Sequence, residues 1–185
     1  LEDSIKEGAI ELIADLKRKN ITPILLTGDN QVTANNVAKQ LNIDQVFAQV
    51  LPGEKYKIIT ELQNEAKVMF VGDGVNDSPS IKQADIGITL NSGSDITKDA
   101  GDIILINNDL KSVSKSINLS VESMKIIKQN LFWAFIYNAA GIPLAAGVLY
   151  PIIGLMLTPA YAGIAMSFSS VTVVLNSLRL KYMST

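Results

Sequence analysis

The sequence predicts an α/β domain built on a parallel sheet, followed by a transmembrane α-helical hairpin. Short apolar runs alternate with helical patterns through residue 106, and the connections between them are short, as in parallel α/β sheets. Charged residues are frequent as far as Lys128 but do not occur from Gln129 to Leu178. A membrane span needs about 20 predominantly apolar residues. We therefore expect a soluble part and a membrane part in one chain.

The first elements are a helix and a strand. Ser4 and Glu7 match a capping box and predict a helix that extends to about Lys19. The apolar run Ile21–Leu26 predicts a buried strand that leads into the loop TGDN at 27–30. Alternating helices and strands follow. They are a helix over 31–40, a strand over 46–50, a helix over 52–64, a strand over 68–71, a helix over 79–84, a strand over 86–90, a helical turn near 94–99 and a strand over 103–106.

Two membrane spans fit the uncharged stretch, at about 129–149 and 155–177, with a turn at Tyr150–Pro151. The turn carries no charge, whereas basic residues flank both ends of the stretch. By the positive-inside rule, both ends and the α/β domain are expected in the cytoplasm, attached to a cell membrane. The flanking basic residues are Lys125, Lys128, Arg179 and Lys181.

Composition excludes several kinds of site. The 185 residues include neither cysteine nor histidine, so this chain forms no disulfide and no Cys/His metal cage. The formal net charge is −2, which does not indicate nucleic-acid binding. The sequence begins at Leu1 without a signal peptide, and its first residues already read as a helix. We therefore expect a segment of a longer protein.

The loop GDGVNDSP at 72–79 carries the strongest functional signal. Asp73 and Asp77 follow a predicted strand, and two carboxylates at such a position favour magnesium, which prefers oxygen ligands. Gly72 and Gly74 let the backbone approach a ligand closely, and Asn76 adds a neutral donor and acceptor. Ligands of parallel sheets bind beyond the carboxyl ends of the strands. Because the TGD loop also follows a strand, one pocket could use both loops.

The other candidate residues suit a phosphate ligand. The Thr27 hydroxyl can donate to a phosphate oxygen, Gly28 leaves room for backbone approach, and Asp29 can orient the loop or a nucleotide. Lys55, near the start of its helix, can supply positive charge to a transferring group. Each has a plain structural alternative, because Gly and Asp are common in turns and a helical lysine is usually solvated.

Four motifs together resemble the phosphorylation domain of P-type ATPases, which has the haloacid-dehalogenase-like fold. They are TGDN at 27–30, PGEK at 52–55, GDGVNDSP at 72–79 and ADIGI at 84–88, and the resemblance covers residues 1–106. It implies Mg2+ and ATP as cofactors, with Asp73 coordinating magnesium. It also implies that Thr27 and Lys55 hold the phosphoryl group, that Asp29 lies close to nucleotide and phosphate, and that Asn76 and Asp77 support the site.

One part of the family pattern does not occur in this sequence. The family phosphorylates an aspartate in a DKTGT motif, which is absent here, and covalent catalysis needs its nucleophile. We therefore expect this polypeptide alone to be inactive as an ATPase. We also expect its sheet to lack one strand, which would leave an exposed edge or a gap.

Polar residues in the predicted spans suggest a metal path. Tyr137 and Asn138 lie near the middle of the first span, and Met166, Ser169 and Ser170 lie in the second. Polar groups are costly in lipid unless they are paired or functional. Small residues and methionine also serve simple helix packing, so this alternative stays open.

The YN and MSFSS sequences of the two spans resemble the last two membrane helices of the copper(I) or silver branch of heavy-metal P-type ATPases. This resemblance makes Tyr137, Asn138, Met166, Ser169 and Ser170 part of the path of the transported ion. A soft thioether suits copper(I). The Cys-Pro-Cys motif of that branch lies in an earlier helix of the family and does not occur in this chain.

The predicted organisation is a partial phosphorylation domain over 1–108, a linking helix over 109–128 and two membrane helices with a short tail over 129–185. The predicted function is ATP-driven export of copper(I) or silver through an aspartyl-phosphate. The expected partners are the metal ion, the lipid bilayer, the missing N-terminal part of the protein and a metallochaperone. Alternatives are a P-type ATPase for another cation, a membrane-tethered phosphatase of the same fold, and a non-catalytic accessory product.

Overall fold

The computed structural model describes residues 5–72, 75–90, 101–105, 109–148, 150–154 and 159–183. The chain forms two compact units, Leu1–Ser114 and Lys115–Thr185. The predicted Asp73 and Gly74, the helical turn near 94–99 and the end of the last strand at Ile106 lie outside the described residues.

The first unit alternates helices and strands, as the sequence predicts. Its strands are β1 (Ile24–Leu26), β2 (Gln45–Phe47), β3 (Met69–Gly72), β4 (Ile86–Leu90) and β5 (Ile103–Leu105). Its helices are α1 (Ala9–Arg18), α2 (Gln31–Leu41), α3 (Pro52–Gln63) and α4 (Ser78–Gln83), and a 3₁₀ turn (Val75–Asp77) precedes α4.

All strand pairs in the described residues are parallel, which confirms the predicted α/β architecture. The strands form two separate groups, β1–β2 and β3–β4–β5. Leu25 pairs with Val46 in the first group, and Ile88 pairs with both Val71 and Ile103 in the second. Within the described residues, β1 and β3 each have one edge without a strand partner. Because β2 and β5 also have such an edge, the expectation of a sheet that lacks one strand stays a prediction.

Two predicted boundaries are wrong for local backbone reasons. Ser4 lies outside the described residues, but the helix α1 begins only at Ala9, because Gly8 takes a left-handed φ of 82° that is not helical. The strand β2 ends at Phe47 rather than at Val50. Gln49 has a φ of 57°, which is incompatible with an extended strand.

The core of the second strand group positions the GDG loop. Ile81 on α4 and Ile88 on β4 are 1% and 0% exposed. A Cβ at Gly87 would lie 2.4 Å from the Ile81 carbonyl oxygen, so α4 packs directly on the β4 backbone. This contact fixes the helix that follows the GDGVND loop.

The second unit consists mainly of two long helices. They are α5 (Lys111–Ala145), whose first turn belongs to the first unit, and α7 (Pro159–Met183). The predicted turn at Tyr150–Pro151 is instead part of a short helix, α6 (Tyr150–Ile153). Within the described ranges, no helix is at once long enough and apolar enough to cross a membrane. The transmembrane hairpin therefore stays a prediction.

Candidate functional site

The TGD loop is a closed turn at the carboxyl end of β1. The Thr27 hydroxyl donates to Asp29 Oδ2 at 2.9 Å, and the Asp29 amide donates back to Thr27 Oγ1 at 3.1 Å. The neighbouring segment holds this turn from outside, because the Val50 amide donates to the Thr27 carbonyl at 3.1 Å and the Gln49 amide donates to the Asp29 carbonyl at 2.8 Å. The Thr27 hydroxyl is therefore preoriented. A phosphate could accept its hydrogen bond only by displacing the Asp29 carboxylate.

The space around Gly28 would accommodate a small side chain. A Cβ there would lie 3.5 Å from the Val50 carbonyl oxygen, which is ordinary contact. The fold itself therefore tolerates a small side chain at this position, and the predicted role of Gly28 in backbone approach to a ligand stays a prediction. Two residues later, Asn30 accepts from the Thr33 amide at 2.9 Å and caps α2. The loop thus leads directly into a helix N-terminus, which favours anions.

Lys55 is an ion-pair partner rather than a solvated helix residue. Its Nζ lies 2.8 Å from Asp77 Oδ1, and the two side chains are only 16% and 15% exposed. Pro52 begins α3 and so places Lys55 in the first turn, from which it reaches the 3₁₀ turn that ends at Asp77. The pair brings PGEK and GDGVND together.

The GDG loop is tightly packed where it leaves β3. Gly72 is buried, and a Cβ there would lie 3.1 Å from Asp77 Oδ2. Asn76, by contrast, is exposed. The Asp77 carboxylate has the oxygen chemistry that magnesium prefers, and its Oδ2 packs closely on Gly72. Within the described residues, which exclude Asp73, no group of three acidic or other ligating side chains is found.

Asp85 of the ADIGI motif has a structural function that the sequence does not predict. It accepts hydrogen bonds from Lys67 Nζ at 2.6 Å, the Val68 amide at 3.0 Å and Gln63 Nε2 at 3.0 Å. These donors, the lysine foremost, hold the pKa of the Asp85 carboxyl far below its ordinary value. Asp85 thereby fixes the entry to β3, the strand that carries the GDG loop.

The predicted metal-path residues lie on α5 and α7. Asn138 Nδ2 donates to the Ala134 carbonyl at 2.9 Å, and the Tyr137 ring lies 6.3 Å from that of Trp133. On α7, Ser169 is half-buried and Ser170 is exposed. The Met166 side chain lies outside the described residues, so its predicted part in the path stays a prediction.

Comparison with protein-family models identifies the α/β unit. A model of haloacid dehalogenase-like hydrolases matches residues 1–85, and a second model with the same description matches residues 54–117. Both matched segments contain the ion pair between Lys55 and Asp77. They confirm the haloacid-dehalogenase-like fold of this unit.

Solved P-type ATPase structures resemble all or part of the chain. A zinc-transporting PIB-type ATPase in the E2.Pi state has a TM-score of 0.83 and 31% identity, and the match covers 97% of this chain and 28% of that one. The catalytic CPx-ATPase domain CopB-B has a TM-score of 0.54 and 34% identity over 58% of this chain and 44% of that domain.

Curated relatives are more similar in sequence. The probable copper-exporting P-type ATPase of Archaeoglobus fulgidus is 49% identical over 98% of this chain, which spans 22% of that protein. The probable copper-transporting ATPase PacS of Synechococcus elongatus is 46% identical over 98% of the chain and 24% of its own length. The copper-exporting P-type ATPase of Legionella pneumophila is 45% identical over 98% of this chain, which spans 25% of that protein. The chain therefore belongs to the P-type ATPases, as its motifs predict, and it spans about a quarter of the length of these relatives.

Proposed function

We propose that this chain is part of an ATP-driven copper(I)-exporting P-type ATPase, in which the first unit completes the phosphorylation site and the second contributes two membrane helices. The observation that carries the proposal is the mostly buried Lys55–Asp77 ion pair in a chain whose relatives are named copper-transporting ATPases. The export of silver by the same route would follow from the similar softness of the two ions.

Within the phosphorylation site, each residue has a distinct task. Lys55 supplies a positive charge beside the GDG loop, and Thr27 supplies a hydroxyl at the end of the neighbouring strand group. Phosphoryl transfer depends mainly on such positioning and charge stabilisation. Asp73 and Asp77 would hold magnesium, which when bound supplies further positive charge to the phosphate oxygens. The phosphorylated aspartate would come from another segment of the intact protein, whose strand could occupy the open edge of β1 or β3.

In the second unit, Asn138 presents an oxygen to the proposed metal path. Its Nδ2 is held by the Ala134 carbonyl, so Oδ1 is the atom of the amide left to face an ion. An amide oxygen and the oxygens of Tyr137 and Ser169 are hard donors, whereas copper(I) prefers sulfur. We therefore assign the main interaction within this chain to the Met166 thioether and treat the oxygens as groups that line the path.

The α/β unit would lie in the cytoplasm and the two long helices in the cell membrane. Their lengths are 35 and 25 residues, and the basic residues near Lys128 and Arg179 would keep both hairpin ends on the cytoplasmic side. Because the first turn of α5 belongs to the first unit, movement of the phosphorylation domain could be passed along this helix to Tyr137 and Asn138. A Gly-Gly insertion near Ser120 should then uncouple ATP hydrolysis from transport.

The test is metal-dependent ATP hydrolysis by the intact protein that contains this chain. We expect stimulation by copper(I) and silver, its loss in Met166→Leu, and normal stimulation in the matched control Met124→Leu, whose side chain is 52% exposed on α5. Asp73→Asn should abolish hydrolysis with every metal. The 185-residue chain alone should hydrolyse no ATP.

Two results would overturn the proposal. Stimulation by zinc without stimulation by copper(I) or silver would indicate a transporter for another cation, as in the zinc-transporting structural neighbour. Hydrolysis of small phosphate esters that needs no transported metal would indicate a phosphatase of the same fold.

A further inference from the structure

A chain of polar side chains connects the two long helices. Arg179 Nη1 donates to Asn176 Oδ1 at 3.2 Å, and Asn176 Nδ2 donates to Asn130 Oδ1 at 2.9 Å and to Gln129 Oε1 at 3.2 Å. Asn130 Nδ2 in turn donates to Ser177 Oγ at 2.9 Å. We call Asn130, Asn176 and Ser177 the amide clamp.

The amide clamp has a defined direction. A cationic donor, Arg179, fixes the Asn176 oxygen at one end, and at the other the Ser177 hydroxyl donates to the Val173 carbonyl at 2.8 Å. Each amide between these ends therefore uses its oxygen as an acceptor and its nitrogen as a donor. Such a satisfied chain of hydrogen bonds specifies one arrangement of the helices, because a slip by one turn would break its links across the helices.

The clamp is in register with the proposed metal path. Tyr137 lies seven residues after Asn130 on α5, and Ser169 lies seven residues before Asn176 on α7. Seven residues are two turns, or about 10 Å along a helix axis, and return to nearly the same face. Because α5 and α7 are consecutive long helices that turn back on each other to make the Asn130–Asn176 contact, equal steps from the clamp reach the same level on both.

Burial along the helices indicates which face of each helix carries the clamp. On α5 the half-buried residues near the clamp are Asn130, Ala134, Gly141 and Leu144, which are separated by four, seven and three residues. Tyr137 lies between Ala134 and Gly141, three residues from the first and four from the second. It is 37% exposed, whereas Phe135 is 73% exposed. On α7 the half-buried positions include Ser169, Val173, Asn176 and Leu180. The α7 positions are spaced by four, three and four residues and therefore lie on one face of that helix, the face that carries Asn176.

We propose that the amide clamp is a positioning device that sets the register of α5 and α7 and thereby brings Tyr137 level with Ser169 in the metal path. The expected effect on metal affinity rests on the proposed function, whereas the register of the two helices does not depend on it. Asn130 and Asn176 act through the helices and do not contact the transported ion. Loss of the clamp should lower metal affinity without affecting the phosphorylation site, which lies in the other unit.

Cysteine cross-linking of the 185-residue chain tests the register without reference to transport. The chain has no native cysteine, so Tyr137→Cys can be paired with Ser169→Cys or with Val173→Cys, which lies one turn closer to the clamp. We expect the 137/169 pair to cross-link at least about threefold faster than the 137/173 pair. Adding Asn130→Leu and Asn176→Leu should remove this preference, since an interhelical hydrogen bond in a membrane accounts for a few-fold change in equilibrium. Equal rates in the parent chain, or a preference that survives clamp removal, would overturn the proposal.

Metal activation of the intact ATPase tests the consequence. We expect Asn130→Leu and Asn176→Leu each to raise the copper(I) concentration for half-maximal ATP hydrolysis by about three- to tenfold. In the double variant this copper(I) concentration should be little higher than in either single variant. Phosphoenzyme formation from inorganic phosphate should be unchanged. Unchanged metal activation in both single variants would refute the positioning role.

Matched controls and separate readouts keep the two proposals distinguishable. Thr172→Val removes a hydroxyl that donates only within α7, to the Phe168 carbonyl, and Asn118→Leu changes an exposed asparagine of α5. Both should leave metal activation unchanged. If the parent protein shows no copper(I) stimulation, the proposed function fails, whereas the cross-linking result still decides whether the clamp sets the register.

Discussion

Lys55 Nζ lies 2.8 Å from Asp77 Oδ1, and this ion pair is the shortest described link between the motifs PGEK and GDGVND. It joins α3, which follows the β1–β2 group, to the 3₁₀ turn that follows β3. The lysine therefore keeps a positive charge at the carboxyl end of β3 even before a ligand binds. Its place in the site depends on Asp77 as much as on the local helix.

We predict that breaking the Lys55–Asp77 pair destabilises the first unit. Lys55→Gln should lower the free energy of unfolding by about 1–3 kcal/mol, because it leaves a mostly buried carboxylate without its counter-ion. The measurement is urea unfolding followed by circular dichroism. Lys57→Gln, at an exposed position on the same helix, should change the unfolding free energy by less than about 0.5 kcal/mol.

A double-mutant cycle isolates the pair itself. Lys55→Gln and Asp77→Asn together should lower the free energy of unfolding by less than the sum of the two single changes. We expect a coupling energy of about 1–2 kcal/mol. Additive effects would mean that the two side chains contribute separately and that the ion pair has little weight in the fold.

We predict that a methyl group at position 87 is not tolerated. In Gly87→Ala the new Cβ would lie 2.4 Å from the Ile81 carbonyl oxygen and 2.6 Å from Ile81 Cγ2, so α4 would have to move away from β4. Thermal unfolding should show a loss of about 2–4 kcal/mol. Gly53→Ala is the matched control. A Cβ at position 53 meets nothing within 4 Å, and alanine in the first turn of α3 should stabilise by up to about 1 kcal/mol. Equal stability of the two variants would contradict the described packing.

The contrast between these glycines shows what the sequence can and cannot predict. The motif ADIGI marks Gly87 as part of a pattern, but its steric reason depends on how closely α4 packs, which is a tertiary property. The strands, by contrast, were predictable because apolar runs and turn residues are local signals. Their ends were not, since the left-handed backbone at Gln49 has no strong signature in a glutamine.

The candidate site was predictable to a similar extent. The loops at Thr27 and Asp77 could be placed at strand ends because that position follows from the order of elements alone. The partner of Lys55 could not be deduced, because a lysine in the first turn of a helix is usually solvated. The clamp between Asn130 and Asn176 was also inaccessible, since many pairs of polar residues on two helices could meet, and only the packed register selects one.

We predict that Asp85 stabilises the first unit at neutral pH and that this stabilisation is lost as the solution becomes acidic. Its donors lower the pKa of the folded-state carboxyl, whereas the unfolded carboxyl titrates near about 3.9. A depressed folded pKa gives stability that is fully present above the unfolded pKa and is lost as pH falls towards the folded one. The stability difference between the parent chain and Asp85→Asn should therefore be constant above about pH 5 and should shrink below about pH 4.

Urea unfolding at a series of pH values measures this difference. Asp44→Asn is the control, because Asp44 pairs with Lys17 at 3.2 Å but its side chain is 83% exposed, and exposed pairs contribute little. Its difference from the parent chain should be small at every pH. A difference for Asp85→Asn that grows on acidification would mean that the hydrogen bonds from Lys67, Val68 and Gln63 do not favour the ionised form.

We predict that the Thr27 hydroxyl is needed to bind the phosphoryl group but not to form the loop. The Asp29 amide donates to Thr27 Oγ1, and the hydroxyl donates to Asp29 Oδ2 at 2.9 Å. The backbone bonds from Gln49 and Val50 hold the same turn without the hydroxyl. In the intact protein, Thr27→Val should raise the inorganic phosphate concentration for half-maximal phosphoenzyme formation by about 10- to 100-fold, as expected for a lost hydrogen bond to a charged group. Thr27→Ser, which keeps the hydroxyl, should stay within about threefold of the parent protein. If serine and valine are equally impaired, the methyl group and its packing, rather than the hydroxyl, account for the requirement at this position.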